Sequence, residues 1–104
     1  MKEYTYKPSA DSGFSGHVKI RIMSFKERLD IAKTFDADSP EFAKTFVSDM
    51  YERTAKEVIE VKLTYGELNI EVNSFDDLGY YEAGQKLIME IGGIIFKGIP
   101  VSTP

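Results

Sequence analysis

With 104 residues, 42% apolar and 29% charged, the chain suits one folded domain with one core, and wholesale disorder is excluded. It has no cysteine, which excludes disulfides and thiolate-held metals. Its 13 basic and 17 acidic residues give a net charge of −4, so binding to nucleic acid would need a local basic patch.

Residues 1–13 read as a flexible N-terminal arm ahead of a single α+β domain over 14–104. Pro8, Ser9, Asp11, Ser12 and Gly13 cluster there without apolar periodicity. Tyr4 and Tyr6 alternate and offer a short strand, which a neighbouring subunit could take up, but a frayed end is the favoured reading. Met1-Lys2-Glu3-Tyr4 lacks the apolar core of a signal peptide. The longest apolar stretch, Leu87 to Phe96, is interrupted by Glu90 and falls well short of the roughly 20 residues that span a bilayer. No membrane partner is expected, and a cytoplasmic location is the default.

His17 to Met23 has strand alternation, with Val18, Ile20 and Ile22 on one face and His17, Lys19 and Arg21 on the other. Ser24 followed by Glu27 forms a capping box for a first helix with an apolar stripe of Phe25, Leu29, Ala32 and Phe35. After a break at Asp36-Ala37-Asp38, Ser39-Pro40-Glu41 starts a second helix. Its expected buried face is Phe42, Ala43, Phe46, Val47 and Met50, and it fades near Lys56 or Glu57.

Ile59 to Leu63 and Leu68 to Val72 are two alternating strands around Tyr65-Gly66. A two-residue loop there, or a four-residue loop from Thr64 to Glu67, pairs Leu63 with Leu68, Val61 with Ile70 and Ile59 with Val72. The longer loop is favoured because tyrosine resists the positive φ of a type I′ turn. That register opposes Glu60 and Glu71. Laying the Lys19/Arg21 strand beside the hairpin would relieve the repulsion, which predicts an antiparallel sheet of about three strands.

Ser74 caps a last helix with Asp76 and Asp77 in its first turn, and Lys97, Gly98 and Pro100 mark its end. Gly92-Gly93 invites an alternative in which Ile94-Ile95-Phe96 is a strand, but a helix passing through, kept thin for another backbone, is favoured. The expected architecture is an antiparallel sheet packed against three helices, in the order β-α-α-β-β-α.

The chemistry-bearing residues are sparse. His17 is the one histidine, with no HxxxH or CxxC spacing around it. Asp36/Asp38 and Asp76/Asp77 fall where helix breaks and starts favour aspartate. No phosphate-binding glycine motif or nucleophile–histidine arrangement occurs. No catalytic residue, cofactor or metal site is expected. A small enzyme would need a pocket with convergent polar groups. A nucleic-acid regulator would use His17, Lys19 and Arg21, continued by Lys26 and Arg28, with Tyr4 and Tyr6 for stacking.

The last helix is apolar over more than one face, so a protein-interaction surface is expected at Tyr80, Tyr81, Leu87, Ile88, Ile91, Ile94, Ile95 and Phe96. The strand pair through Leu63, Leu68 and Val72, the segment Asn73-Ser74-Phe75-Asp76-Asp77-Leu78, and the apolar helix ending at Lys97-Gly98 together resemble the tail assembly chaperones of long-tailed bacteriophages. The resemblance covers residues 59–98. It implies a non-enzymatic protein that binds the tape measure protein during tail assembly, without cofactor, and that self-associates.

Overall fold

The computed structural model describes residues 2–33, 38 and 40–100. The expected break at Asp36-Ala37-Asp38, the cap Ser39 and the stripe residue Phe35 fall wholly or partly outside them. The fold is α+β, in the order β1 (Lys2–Tyr6), β2 (Phe14–Ile22), α1 (Phe25–Ala32), α2 (Phe42–Lys56), β3 (Val58–Tyr65), β4 (Ile70–Val72), α3 (Phe75–Leu78) and α4 (Glu82–Lys97). The strands form one antiparallel sheet in the order β1-β2-β3-β4.

The sheet has four strands rather than three because the first residues are not a free arm. The turn-forming cluster at 8–13 folds the chain back. Ser12 N donates to Ser9 O at 3.1 Å, Ser9 Oγ donates to Asp11 Oδ1 at 2.8 Å, and Gly13 takes φ +88°. Tyr4 and Tyr6 then lie opposite Ile20 and Val18 on the inner face, and Tyr6 is buried. Strand β2 begins at Phe14, earlier than its alternation alone indicated, and Val18, Ile20 and Ile22 are buried as expected.

As anticipated, the basic strand lies beside the hairpin, with Lys19 opposite Glu60. The hairpin register itself differs. Tyr65 pairs with Ile70, Thr64 with Glu71 and Leu63 with Val72, so the loop is Gly66–Asn69, not Thr64–Glu67. Gly66 and Asn69 take φ +71° and +51°, the conformations such a loop needs and the two residue types that best tolerate them. The partner of Leu63 moves from Leu68 to Val72, an even slip, so the faces are preserved. Glu71 meets Thr64, and the predicted Glu60–Glu71 repulsion never arises. Leu68 ends in the loop, exposed. Ile59 is also exposed, because a bulge at Lys19/Ile20 passes the pairing from Glu60 to Val58.

The last helix divides. Ser74 caps as predicted, accepting from Asp77 N at 3.1 Å, but α3 ends at Leu78 and α4 restarts after Tyr81. A Cβ on Gly84 would lie 2.0 Å from Leu78 O, so only glycine lets the two helices meet this closely. Helix α4 runs through Gly92-Gly93 as favoured, and a Cβ on Gly92 would touch Thr54 Oγ1 of α2 at 3.3 Å. One core joins Val18, Ile20, Val61, Leu63, Val72, Leu78, Leu87, Ile91 and Ile95.

Helix α1 starts where predicted, with a complete Ser24/Glu27 capping box, whereas α2 starts only at Phe42, with Glu41 at its N-cap making no side-chain cap and Pro40 in a turn rather than at the first helical position. The expected buried faces of both helices are not buried. Phe25 and Leu29 are exposed, and α1 has no buried residue; Ile31 packs partly against the core. On α2 Phe46 and Val47 are exposed, and the helix meets the core through Tyr51, Thr54 and Ala55 instead.

Candidate interaction surfaces

Three surfaces carry the residues that the sequence singles out. The first is α4. It lies across the inner face of the sheet, with Met23 N donating to Ile95 O at 3.3 Å and α2 packed along its flank. That placement seals Leu87, Ile91 and Ile95 in the core, so they are not available to a partner. Ile88, Ile94 and Phe96 are half-buried against the same core. The predicted interaction face is therefore largely the chain's own interior. Among the named residues, Tyr80 is freely exposed, at 85%, and Tyr81 is half-buried. Met89 is exposed on α4, and the sequence reading omitted it although it lies one step off the buried stripe.

The second surface is the end of the molecule where the β3–β4 loop meets the α3–α4 junction. The Tyr65 ring stacks between Phe14 and Tyr81, with both centroid distances 4.7 Å, and Phe14 meets Tyr81 edge-on at 6.1 Å. This cluster explains why β3 extends to Tyr65 and why α4 starts late: each ring recruits its backbone to the cluster. Three apolar residues adjoining it in the chain or the sheet are exposed: Leu68, at 86%, in the β3–β4 loop, Ile70, the strand partner of Tyr65, and Tyr80, next to Tyr81. Behind it, Tyr51 donates to Asp76 Oδ1 and stacks on Phe75 at 5.3 Å. Burial, with help from the Asp76 carboxylate, pushes the Tyr51 phenol up to about 12.

The third is the outer face of the sheet, which holds the candidate nucleic-acid residues. Glu60 gathers three of its basic side chains: His17 Nε2 at 3.3 Å, Lys62 Nζ at 3.5 Å and Lys19 Nζ at 3.9 Å. The His17 contact, ahead of the two lysines, holds the Glu60 carboxyl below its ordinary range. Arg21 Nε lies 3.8 Å from Glu57 Oε2, and Arg21 N donates to Glu57 O at 2.8 Å. His17, Lys19 and Arg21 do share a face, as predicted, but each is partnered by a carboxylate, so the row is not a free cationic patch. Arg28, expected to extend the row, instead donates to Met23 O at 2.7 Å.

A groove of about 690 Å³ runs between the end of β1 and the C-terminal half of α4, lined in part by Tyr6, Lys7, Glu90, Ile94, Lys97 and Ile99. Tyr6 donates its hydroxyl hydrogen to Glu90, and burial with that carboxylate raises the phenol's pKa. The groove lies on the inner side of the sheet and His17 on the outer. Among the described residues no His, Asp or Glu cluster suits a metal ion, and no helix is long and apolar enough to cross a membrane. Compared with protein families, curated proteins and solved structures, the chain finds no match.

Proposed function

We propose that this chain is a non-enzymatic assembly protein of phage or prophage origin, a tail assembly chaperone that holds apolar segments of the tape measure protein in the bacterial host cytoplasm. Two things support the reading. One is the resemblance over residues 59–98. The other, which carries it, is the set of exposed apolar residues Leu68, Ile70 and Tyr80 at the end of the molecule that holds the Phe14–Tyr65–Tyr81 cluster. Aromatic and aliphatic groups exposed together suit transient capture of an apolar segment, since binding removes their apolar area from water. The client contact is thus assigned to this end and not to Leu87, Ile91 and Ile95. No cofactor and no catalytic step is part of the reading.

The test is suppression of aggregation of a tape measure segment on co-expression. The wild-type chain should keep the segment soluble, and Leu68→Ser with Tyr80→Ser should lose most of that protection while the fold, read by circular dichroism, persists. Equal protection by the double variant would remove the assignment. The alternative, a nucleic-acid regulator on the His17, Lys19 and Arg21 face, has the carboxylates of Glu60 and Glu57 against it.

A further inference from the structure

We propose that the free edge of β1 pairs antiparallel with the same edge of a second copy of this chain, across a two-fold axis at Thr5, joining two sheets into one. The sheet has two edges. Strand β4 has three residues and is followed within a few residues by α3. Strand β1 has five, contains no proline or glycine, and is paired on one side alone, with β2. An unpaired row of N–H and C=O groups on a tyrosine- and threonine-bearing strand is a template for another strand; β1 has neither a proline nor a bulge to blunt that edge, and its two charges, Lys2 and Glu3, are confined to its first two residues.

The side chains select one register. Tyr4 and Tyr6 face inward and Glu3 and Thr5 outward, so a pairing that mixes odd with even positions would set apolar against polar faces. Centring on Tyr4 would place Lys2 opposite Tyr6 of the second copy. Centring on Thr5 places Tyr4 opposite Tyr6 on the inner face, twice, and Glu3 opposite Lys7, twice. Within the chain neither Glu3 nor Lys7 has an ion pair among the described residues, so each is free to find its opposite across the axis. The groove beside Tyr6 lies on the inner side, where the ring of Tyr4 of the second copy arrives, with Ile94 as its wall. The inference deepens the assembly reading by naming one partner, and it rests on that reading for its use in the cell.

Sedimentation of the full chain over a concentration series tests it. A monomer–dimer equilibrium is expected. Lys7→Glu, which lies beyond the β1–β2 pairs and so spares the fold, turns two attractive contacts into two repulsive ones and should weaken association about ten-fold. Adding Glu3→Lys to it should restore pairing. The chain has no cysteine, so Thr5→Cys adds a single thiol that should form a disulfide-linked dimer on mild oxidation, whereas Glu71→Cys on the far edge should not. A monomer at every concentration, association indifferent to Lys7→Glu, or cross-linking no faster at position 5 than at position 71 would overturn the pairing. No client is needed, so a monomer that still protects the tape measure segment sinks the pairing alone. A dimer without protection sinks the chaperone reading alone.

Discussion

Helix α4 and the first half of α2 both carry Phe, Ile, Val or Met on stripes, but they sit in opposite surroundings. α4 has the sheet beneath it and α2 along its flank, so Leu87, Ile91 and Ile95 are enclosed. The first half of α2 has Val47 exposed at 74% and Phe46 exposed, and α1 before it exposes Phe25 at 71%. The hydrophobic effect rewards area removed from water, not apolar character as such. A stripe has stabilising value only where another element lies opposite it. Stability should therefore be concentrated in the sheet–α4 half, and the α1–α2 half should tolerate change.

The sharpest way to break this contrast is truncation on both sides of it. Ile91→Ala, at a fully buried site, should cost about 2–5 kcal/mol in urea unfolding, while Val47→Ala should stay within about 0.5 kcal/mol. Similar losses at both positions would show that α2 is covered after all. Next come the glycines of α4. Gly84→Ala forces a Cβ to within 2.0 Å of Leu78 O, a backbone atom that cannot swing aside, and should cost about 1–3 kcal/mol or more. Gly93→Ala meets nothing within 4 Å and should gain up to about 1 kcal/mol of helix propensity. A stabilised Gly84→Ala protein would refute the close α3–α4 packing.

A smaller effect belongs to the capping box. Ser24→Ala should cost about 1 kcal/mol. Because α1 has no buried residue, the loss should register as faster amide exchange in residues 25–32 more than as a lower global stability.

The smallest effects are those of pH. Glu60 has its carboxyl pKa lowered in the fold from an ordinary 4.5. Its stabilising contribution is therefore complete above that value and is lost as pH falls through the folded one. Glu60→Gln should flatten the acid limb of a Tm–pH profile, and an unchanged limb would mean that the His17, Lys19 and Lys62 contacts are without effect. Tyr51 runs the other way. Its pKa is raised from 10.0 to about 12, so its contribution is whole below 10 and lost as pH climbs toward 12. Tyr51→Phe should reduce the alkaline loss.

Local signals were legible from residue order alone. The Ser24 and Ser74 caps, the alternation of Val18, Ile20 and Ile22, the end of α2 at Lys56 and the passage of α4 through Gly92-Gly93 depend on neighbours within a few positions. So does the even parity that kept the hairpin's apolar faces together despite a wrong register. The place of Lys19 beside Glu60 was legible too, although the Glu60–Glu71 repulsion that pointed to it does not form, since Glu71 lies opposite Thr64. Of the interaction surface, Tyr80 could be read as an interface aromatic near the start of the last helix, although the junction it occupies could not; Leu68 could not be read, since its alternation with Ile70 matched a strand.

What the tertiary structure alone decided is which side of each element meets another. The Phe14–Tyr65–Tyr81 cluster lengthened β3 and shifted its turn, and the Gly84–Leu78 contact cut one predicted helix in two. The turn at 8–13 brought Tyr6 into the core and made the presumed arm an edge strand. Periodicity fixes where side chains point relative to their own backbone. Their burial depends on contacts between residues far apart in the chain, and no short-range pattern encodes those.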